Sequence, residues 1–191
     1  KSSFKKSKVV DESGEPIVMY HGTADDIRAF NLDHPNRKDT GWLGTGVYLT
    51  TDARLAGSYA TLKRGREGPN VMPLYAKMEN PYYATQRDKE RIMMISHNKG
   101  AEAGRKAADK FTDDLKAKGH DGVILEFRAE DVGAANVSRE MVVFDPAGVK
   151  SAIGNRGTFS ASDINILRSG IGGLGLAGAV AAGAASEEGQ L

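Results

Sequence analysis

The segment that most clearly indicates the fold is Gly44-Thr45-Gly46-Val47-Tyr48-Leu49-Thr50. Its two glycines end a polar loop, and the apolar, partly β-branched run that follows predicts a strand over residues 47–50. Asp52 then stands where a helix N-cap belongs, because its carboxylate can accept hydrogen bonds from the first amides of a helix. A helix is therefore predicted from Ala53 to about Arg64, and the segment forms a βα unit.

Upstream of this unit, residues 31–46 have loop composition and are long for a connection within a compact domain, which predicts a binding loop. Trp42 is expected to anchor that loop. Further upstream, a polar turn at residues 11–14 precedes the β-rich run at residues 17–20. This pattern predicts a hairpin that ends at His21.

Downstream, three more strands are predicted, over residues 71–78, 123–127 and 140–144. Between the first two of these, residues 87–118 have a helical pattern interrupted by Gly100 and Gly104, which favours two helices over one. The strands are separated by unequal loops, and the helices are inserted rather than strictly alternating. This order favours an α+β fold with mostly antiparallel pairing over a doubly wound one.

The composition is that of a soluble globular protein with a single core. A chain of 191 residues has room for one ordinary domain and a tail. Its 26 basic and 25 acidic residues give a formal net charge of +1, so no overall field favours nucleic acid or a membrane surface. The absence of cysteine excludes a disulfide scaffold and a thiol nucleophile. Because the chain begins at Lys1 without a nearby apolar segment, we interpret it as a fragment or processed product with no visible signal peptide.

Both ends of the sequence differ in composition from the middle. Residues 1–8 are rich in lysine and serine and are expected to be a flexible or helical lead-in. Residues 170–185 are almost entirely Gly, Ala, Leu, Ile and Val, about 16 residues where roughly 20 are needed to cross a bilayer. We predict a linker or truncated junction there, with a membrane-associating segment as the alternative. The predicted organisation is a lead-in at 1–8, one domain at 9–168 and a Gly/Ala-rich tail at 169–191.

The commonest catalytic motifs do not occur in this sequence. It contains no Gly-x-x-x-x-Gly-Lys-Ser/Thr phosphate loop, no Gly-x-Ser-x-Gly elbow and no His-Glu-x-x-His helix. Its four histidines, at positions 21, 34, 97 and 120, lie in different predicted elements. The sequence therefore predicts no metal site.

Three segments carry a resemblance to a known class of enzyme. They are Tyr20-His21-Gly22-Thr23, the stretch at 44–50, and Ser138-Arg139-Glu140-Met141-Val142-Val143-Phe144-Asp145-Pro146, with Tyr59 following Tyr48 across the predicted helix. In order and in strand context these resemble the His-Tyr-Glu class of ADP-ribosyltransferases, which includes the poly(ADP-ribose) polymerases and diphtheria toxin.

Other segments point to one branch of that class. Residues 9–16, 119–123 and 150–159 are similar to the ADP-ribosyltransferase domain of phage and mobile-element polyvalent proteins. The resemblance covers roughly residues 9–168. It implies an α+β ADP-ribosyltransferase fold in which two small, mostly antiparallel sheets form an NAD cleft with inserted helices.

The resemblance also implies a set of site residues. His21, Tyr48 and Glu140 would be catalytic, and NAD, as substrate, would contact His21, Gly22, Thr23, Tyr48 and Tyr59. In that class the histidine hydrogen-bonds the adenosine ribose, the glycine backbone holds the nicotinamide carboxamide, and the two tyrosines sandwich the ring. Each residue also has a plain structural alternative: a hydrogen-bonding histidine, core tyrosines and an exposed strand glutamate.

The chemistry of NAD explains why so few residues suffice. Nicotinamide is cationic while bonded to the ribose and leaves as a neutral molecule, so no general acid is required. The oxocarbenium-like ribose needs stabilisation, which one carboxylate can give through its charge and a hydrogen bond to a ribose hydroxyl. Glu140 fits that role, and aromatic faces at Tyr48 and Tyr59 suit a cationic ring.

Two positions depart from the patterns of related enzymes. Ala56 stands where polymerase-type members offer a serine hydroxyl to the carboxamide, so one hydrogen bond to NAD is missing unless Ser58 supplies it. Ser138 stands where arginine-modifying members of a separate class carry Glu or Gln. Nothing in the sequence therefore points to arginine as the acceptor.

The expected activity is transfer of ADP-ribose from NAD to a macromolecule with release of nicotinamide, most simply as mono-ADP-ribosylation. A protein acceptor is favoured over nucleic acid because of the low net charge, and no membrane partner is expected. The alternatives are an NAD glycohydrolase and an inactive virion or scaffold module with the same fold. The expected location is the cytoplasm of a bacterial host or a phage virion that delivers the protein.

Overall fold

The computed structural model describes residues 6–25, 27–33, 41–62, 70–127, 138–153 and 162–167. Within these ranges the chain forms seven strands, three α-helices and one 3-10 turn at Pro146–Gly148. In chain order the elements are β1 (Met19–Thr23), β2 (Val47–Thr50), α1 (Ala53–Leu62), β3 (Asn70–Ala76), β4 (Pro81–Tyr83), α2 (Gln86–Lys99), α3 (Ala101–Ala117), β5 (Gly122–Phe127), β6 (Ser138–Val143) and β7 (Val149–Ser151).

The described strands form one mixed sheet in the order β4-β5-β6-β2-β1-β3-β7. Five of its six pairings are antiparallel and only β4 with β5 is parallel, so the predicted α+β class and mostly antiparallel pairing are confirmed. The prediction of two separate sheets is wrong. The two halves are joined because β1 pairs with β2 at Tyr20 and Thr50, and this is the one residue pair in register between those strands.

The two faces of the sheet carry separate apolar clusters. Along β6, Met141 and Val143 belong to one cluster and Val142 to the other, as expected for side chains that alternate across a strand. The second cluster is completed by Phe111 of α3 and Ile92 of α2, so these helices cover that face. Packing of α2 against α3 therefore fixes both helices over the same strands as Val142.

The local helix signals are confirmed. The Asp52 carboxylate accepts from the amide nitrogens of Arg54 at 2.8 Å and Leu55 at 3.4 Å, as an N-cap does. The long helical region divides at Gly100, which has a φ of 88°. Gly104 lies inside α3 and does not interrupt it. A Cβ at this position would come within 2.6 Å of the Ser96 Cβ on α2. The second glycine therefore permits close packing of α2 on α3.

Several expectations about the N-terminal region need correction. Strand β1 continues past His21 to Thr23, because β3 pairs with it as far as Asn70. The expected hairpin is reduced to one bridge between Val10 and Pro16. Ser7, placed in an unpacked lead-in, is buried, and its hydroxyl oxygen accepts from the Met78 amide at 3.2 Å.

The long loop is anchored differently from the prediction. Leu43 is fully buried, whereas Trp42 is 40% exposed, so the leucine and not the tryptophan anchors the part of the loop that the structure describes. The predicted tail at 169–191 lies outside the described residues. Within those residues, no helix combines the length and the apolar character needed to cross a membrane.

Candidate active site

Strands β1 and β2 share a single residue pair, and the unpaired length of the two strands beyond it is the opening between them. After the pair formed by Tyr20 and Thr50, the two strands have no further residues in register. The His21 imidazole bridges this opening instead, with its Nδ1 2.7 Å from the Tyr48 carbonyl oxygen. Because a carbonyl can only accept, Nδ1 carries the proton. The ring is also held edge-on against Phe30, with centroids 4.9 Å apart.

The hydroxyl of Tyr48 is tied to the loop that precedes its own strand. It donates to the Gly44 carbonyl oxygen at 2.7 Å and accepts from the Leu43 amide nitrogen at 2.9 Å. These two bonds hold the phenol close to its own backbone loop. The aromatic ring is therefore fixed in orientation, and it packs against the cluster formed with α2 and α3.

Helix α3 holds that loop in place. The Thr45 amide donates to the Thr112 Oγ1 at 2.7 Å, and Thr112 is buried. Gly44 has a φ of 102°, and a Cβ on it would lie 2.6 Å from the same Thr112 oxygen. Position 44 therefore requires glycine both for its backbone conformation and for the close approach to α3.

Helix α1 lies directly against β1 at Gly22. A Cβ at this position would be 1.8 Å from the Ala56 carbonyl oxygen, so the absence of a side chain is what permits the contact. The contact brings α1, and Tyr59 on it, next to the strand that carries His21. Tyr59 is 41% exposed. Burial and, second, the negative charge of Glu140 raise the pKa of its phenol.

Glu140 occupies a central place in the sheet. It lies on β6 opposite Thr50 of β2 and Leu125 of β5, and it is only 8% exposed. Because paired residues in antiparallel strands share a face and side chains alternate, Glu140, Thr50 and Tyr48 project from the same face. Oε2 of Glu140 accepts a hydrogen bond from the Lys89 Nζ at 2.7 Å. The carboxylate is thus an ionic partner of α2.

The structure brings together four of the predicted residues and leaves two apart. Tyr48, Glu140 and Gly22 share one side of the sheet, and α1, which carries Tyr59, lies against Gly22 on that side. Strand alternation places the side chains of His21 and Thr23 on the opposite side. His21 is connected to the site by the hydrogen bond from its Nδ1 to the Tyr48 carbonyl oxygen. Thr23 is buried and its Oγ1 accepts from the Asp25 amide at 3.1 Å, which is a turn-forming contact.

The two departures from related patterns have structural counterparts. Ala56 is buried, and its carbonyl group meets Gly22. The Ser58 hydroxyl donates to the Leu55 carbonyl oxygen at 2.7 Å within α1. Because this hydroxyl already donates within its own helix, the missing hydrogen bond to NAD stays a prediction.

Sequence reasoning missed two residues that contact the site. Lys89 lies in a helix rich in charged residues, where a lysine is ordinarily solvated. Thr112 lies among the polar residues of α3 and gives no signal of its own. The described residues contain no group of three or more His, Cys, Asp or Glu side chains that could hold a metal ion.

Residues 11–159 match the family model described as ADP-ribosyltransferase in polyvalent proteins, and the chain belongs to that family. Comparisons with curated proteins and with solved structures found no match. Family membership confirms the resemblance found in the sequence and places the chain among the ADP-ribosyltransferases.

Proposed function

We propose that this domain binds NAD at the opening between β1 and β2 and transfers its ADP-ribose to a protein acceptor as a mono-ADP-ribosyltransferase. The observation that carries the proposal is the arrangement of Tyr48, Tyr59 and Glu140 on one face, with the charge of Glu140 acting on Tyr59. An aromatic pair beside a buried carboxylate suits a cationic ring attached to a sugar that becomes cationic. We also propose that the catalytic domain spans residues 9–168.

The proposed roles follow from what each residue can do. Nicotinamide leaves when the bond from ribose C1′ to the pyridine nitrogen breaks and the electron pair goes to that nitrogen, so the leaving group needs no proton. The ionised carboxylate of Glu140 stabilises the positive charge on the ribose and accepts a hydrogen bond from a ribose hydroxyl. The acceptor's oxygen or nitrogen atom then forms the new bond to C1′ while its bond to hydrogen breaks, and the proton passes to solvent.

The remaining predicted residues would hold NAD. With Nδ1 of His21 protonated, Nε2 of the neutral ring is an acceptor suited to a hydroxyl of the adenosine ribose. The backbone of Gly22 would bind the carboxamide, and Tyr48 and Tyr59 would enclose the ring. For Thr23 we propose a supporting role in the turn that follows β1, because its hydroxyl oxygen accepts from a backbone amide there.

The test uses the domain and its Glu140→Gln variant with NAD labelled in the adenylate moiety and a bacterial lysate. We expect the wild-type protein to release nicotinamide and to label a protein, and the variant to lose most of both, about 100-fold or more. Glutamine keeps the size and a hydrogen-bonding group, while the charge is lost. Equal labelling by the two proteins would remove Glu140 from its role.

The same assay separates the alternatives. Nicotinamide release without label on any macromolecule would identify an NAD glycohydrolase, in which water is the acceptor. Label that is removed by nuclease would identify a nucleic-acid acceptor. If the protein neither releases nicotinamide nor binds NAD in calorimetry, it is a catalytically inactive module.

A further inference from the structure

The Lys89–Glu140 pair is unlike the other ion pairs of the described residues. Both side chains are largely withdrawn from solvent, with 17% of the lysine and 10% of the glutamate side chain exposed. The pairs on α3, by contrast, join exposed side chains: Lys106 with Glu102 and Lys110 with Asp114. Exposed pairs of that kind contribute little, whereas a buried pair must have good geometry to offset the loss of hydration.

The ammonium group of Lys89 is fixed from two directions. It lies 2.7 Å from Oε2 of Glu140 and 5.1 Å from the centroid of the Phe127 ring on β5. The backbone of α2 is in turn held by α3 and by the Thr85 and Asp88 capping box at its first turn. Lys89 is therefore presented to Glu140 by a rigid element, from 51 residues away in the sequence.

We infer that Lys89 is a positioning residue for Glu140: it fixes Oε2, so that the other oxygen of the carboxylate keeps one direction. This inference rests on the proposed function. Among the described residues, Lys89 is the one hydrogen-bond donor to this carboxylate, while Thr50 and Leu125 flank it on the neighbouring strands. The Tyr59 phenol of α1 is a further titratable group on which the charge of Glu140 acts.

The physical reason is that a buried carboxylate without a counter-charge is poorly suited to the reaction. Nothing then fixes the direction of its two oxygens, and its lost hydration is not compensated by a partner. The Lys89 ammonium also reduces the net negative charge at the site. Lys89 therefore favours the reaction by fixing Glu140 and disfavours it by reducing the charge that stabilises the ribose. The inference is that the fixed orientation of Glu140 outweighs the partial neutralisation of its charge.

The test compares Lys89→Met with Lys89→Arg, and uses Lys110→Met as the matched control. Methionine keeps an unbranched chain without charge, arginine keeps the charge and the hydrogen bond, and Lys110 forms an exposed pair away from the site. We expect Lys89→Met to lower kcat for nicotinamide release about 100-fold, because a misplaced catalytic group costs on that order. KM for NAD should stay within about threefold, because Lys89 acts through Glu140. Lys89→Arg should recover most of the loss, and Lys110→Met should match wild type.

Further arms show through which residue Lys89 acts. In a Glu140→Gln background, Lys89→Met should cause no additional loss. Thermal unfolding checks that each variant is folded, and Lys89→Gln replaces Lys89→Met if the latter does not fold. An unchanged or raised kcat in Lys89→Met, a rise in KM alone, or equal loss in the methionine and arginine variants would each overturn the inference while leaving the proposed function intact. A wild-type protein that releases no nicotinamide, or a fully active Glu140→Gln variant, would overturn the proposed function itself.

Discussion

Replacing Gly22 with alanine tests whether α1 is held against β1 closely enough to shape the site. The new Cβ would lie 1.8 Å from the Ala56 carbonyl oxygen and 3.0 Å from the Ala60 amide nitrogen. Both atoms belong to the α1 backbone, so no side-chain rotation relieves the overlap, and the helix must move on the order of 1 Å or more to restore normal contact. Overpacking of this kind costs about 1–3 kcal/mol. The Tm should fall by about 2–4 °C for each kcal/mol lost.

The same movement displaces Tyr59, so nicotinamide release should fall about 100-fold as well. Gly57→Ala on the same helix is the matched control. Its nearest atom outside the helix is the Val71 Cγ2 at 3.8 Å, an ordinary contact, and alanine is favoured over glycine in a helix by about 0.8–1.0 kcal/mol. This variant should unfold at the wild-type temperature or above, as followed by circular dichroism. A Gly22→Ala protein with the wild-type Tm would refute the close approach of α1 to β1.

Two further predictions concern the tyrosines. Glu140→Gln should lower the pKa of the Tyr59 phenol, because the carboxylate charge opposes formation of a second negative charge, while the larger contribution of burial remains. Ultraviolet titration measures this pKa without turnover, with Tyr59→Phe used to assign the signal, and an unchanged pKa would show that the charge of Glu140 does not act on Tyr59. Tyr48→Phe should reduce the free energy of unfolding by about 1–3 kcal/mol in urea, because the Gly44 carbonyl and the Leu43 amide lose their shared partner, and a smaller change would mean that water replaces the hydroxyl.

Elements with strong local signals could be predicted from the sequence. The Asp52 cap and the helix break at Gly100 depend on residues within one or two turns, and both are confirmed. The mostly antiparallel pairing also followed from unequal loops and inserted helices. The single sheet could not be predicted, because it depends on one pair, Tyr20 with Thr50, between strands whose connecting loop has no pairing signal.

The candidate site was only partly predictable for the same reason. Tyr48 and Glu140 share a face because of the register between β2 and β6, and register is a long-range property that a single sequence does not reveal. Lys89 was missed because its partner is 51 residues away and its own helix is highly charged. His21 was expected at the end of a strand, whereas it lies in the middle of β1, paired with Met72 of β3.

The narrow junction between β1 and β2 affects how a ligand would alter the molecule. On one side of it stands a four-stranded group that carries Tyr48 and Glu140, and on the other a three-stranded group that carries His21 and Gly22. Among the described residues, one residue pair and the imidazole bond link β1 to β2 directly, while α1 and the apolar cluster that contains Leu49 and Leu74 also join the two groups. A dinucleotide bound by residues of both groups would therefore link them, and its binding free energy would stabilise the junction between β1 and β2.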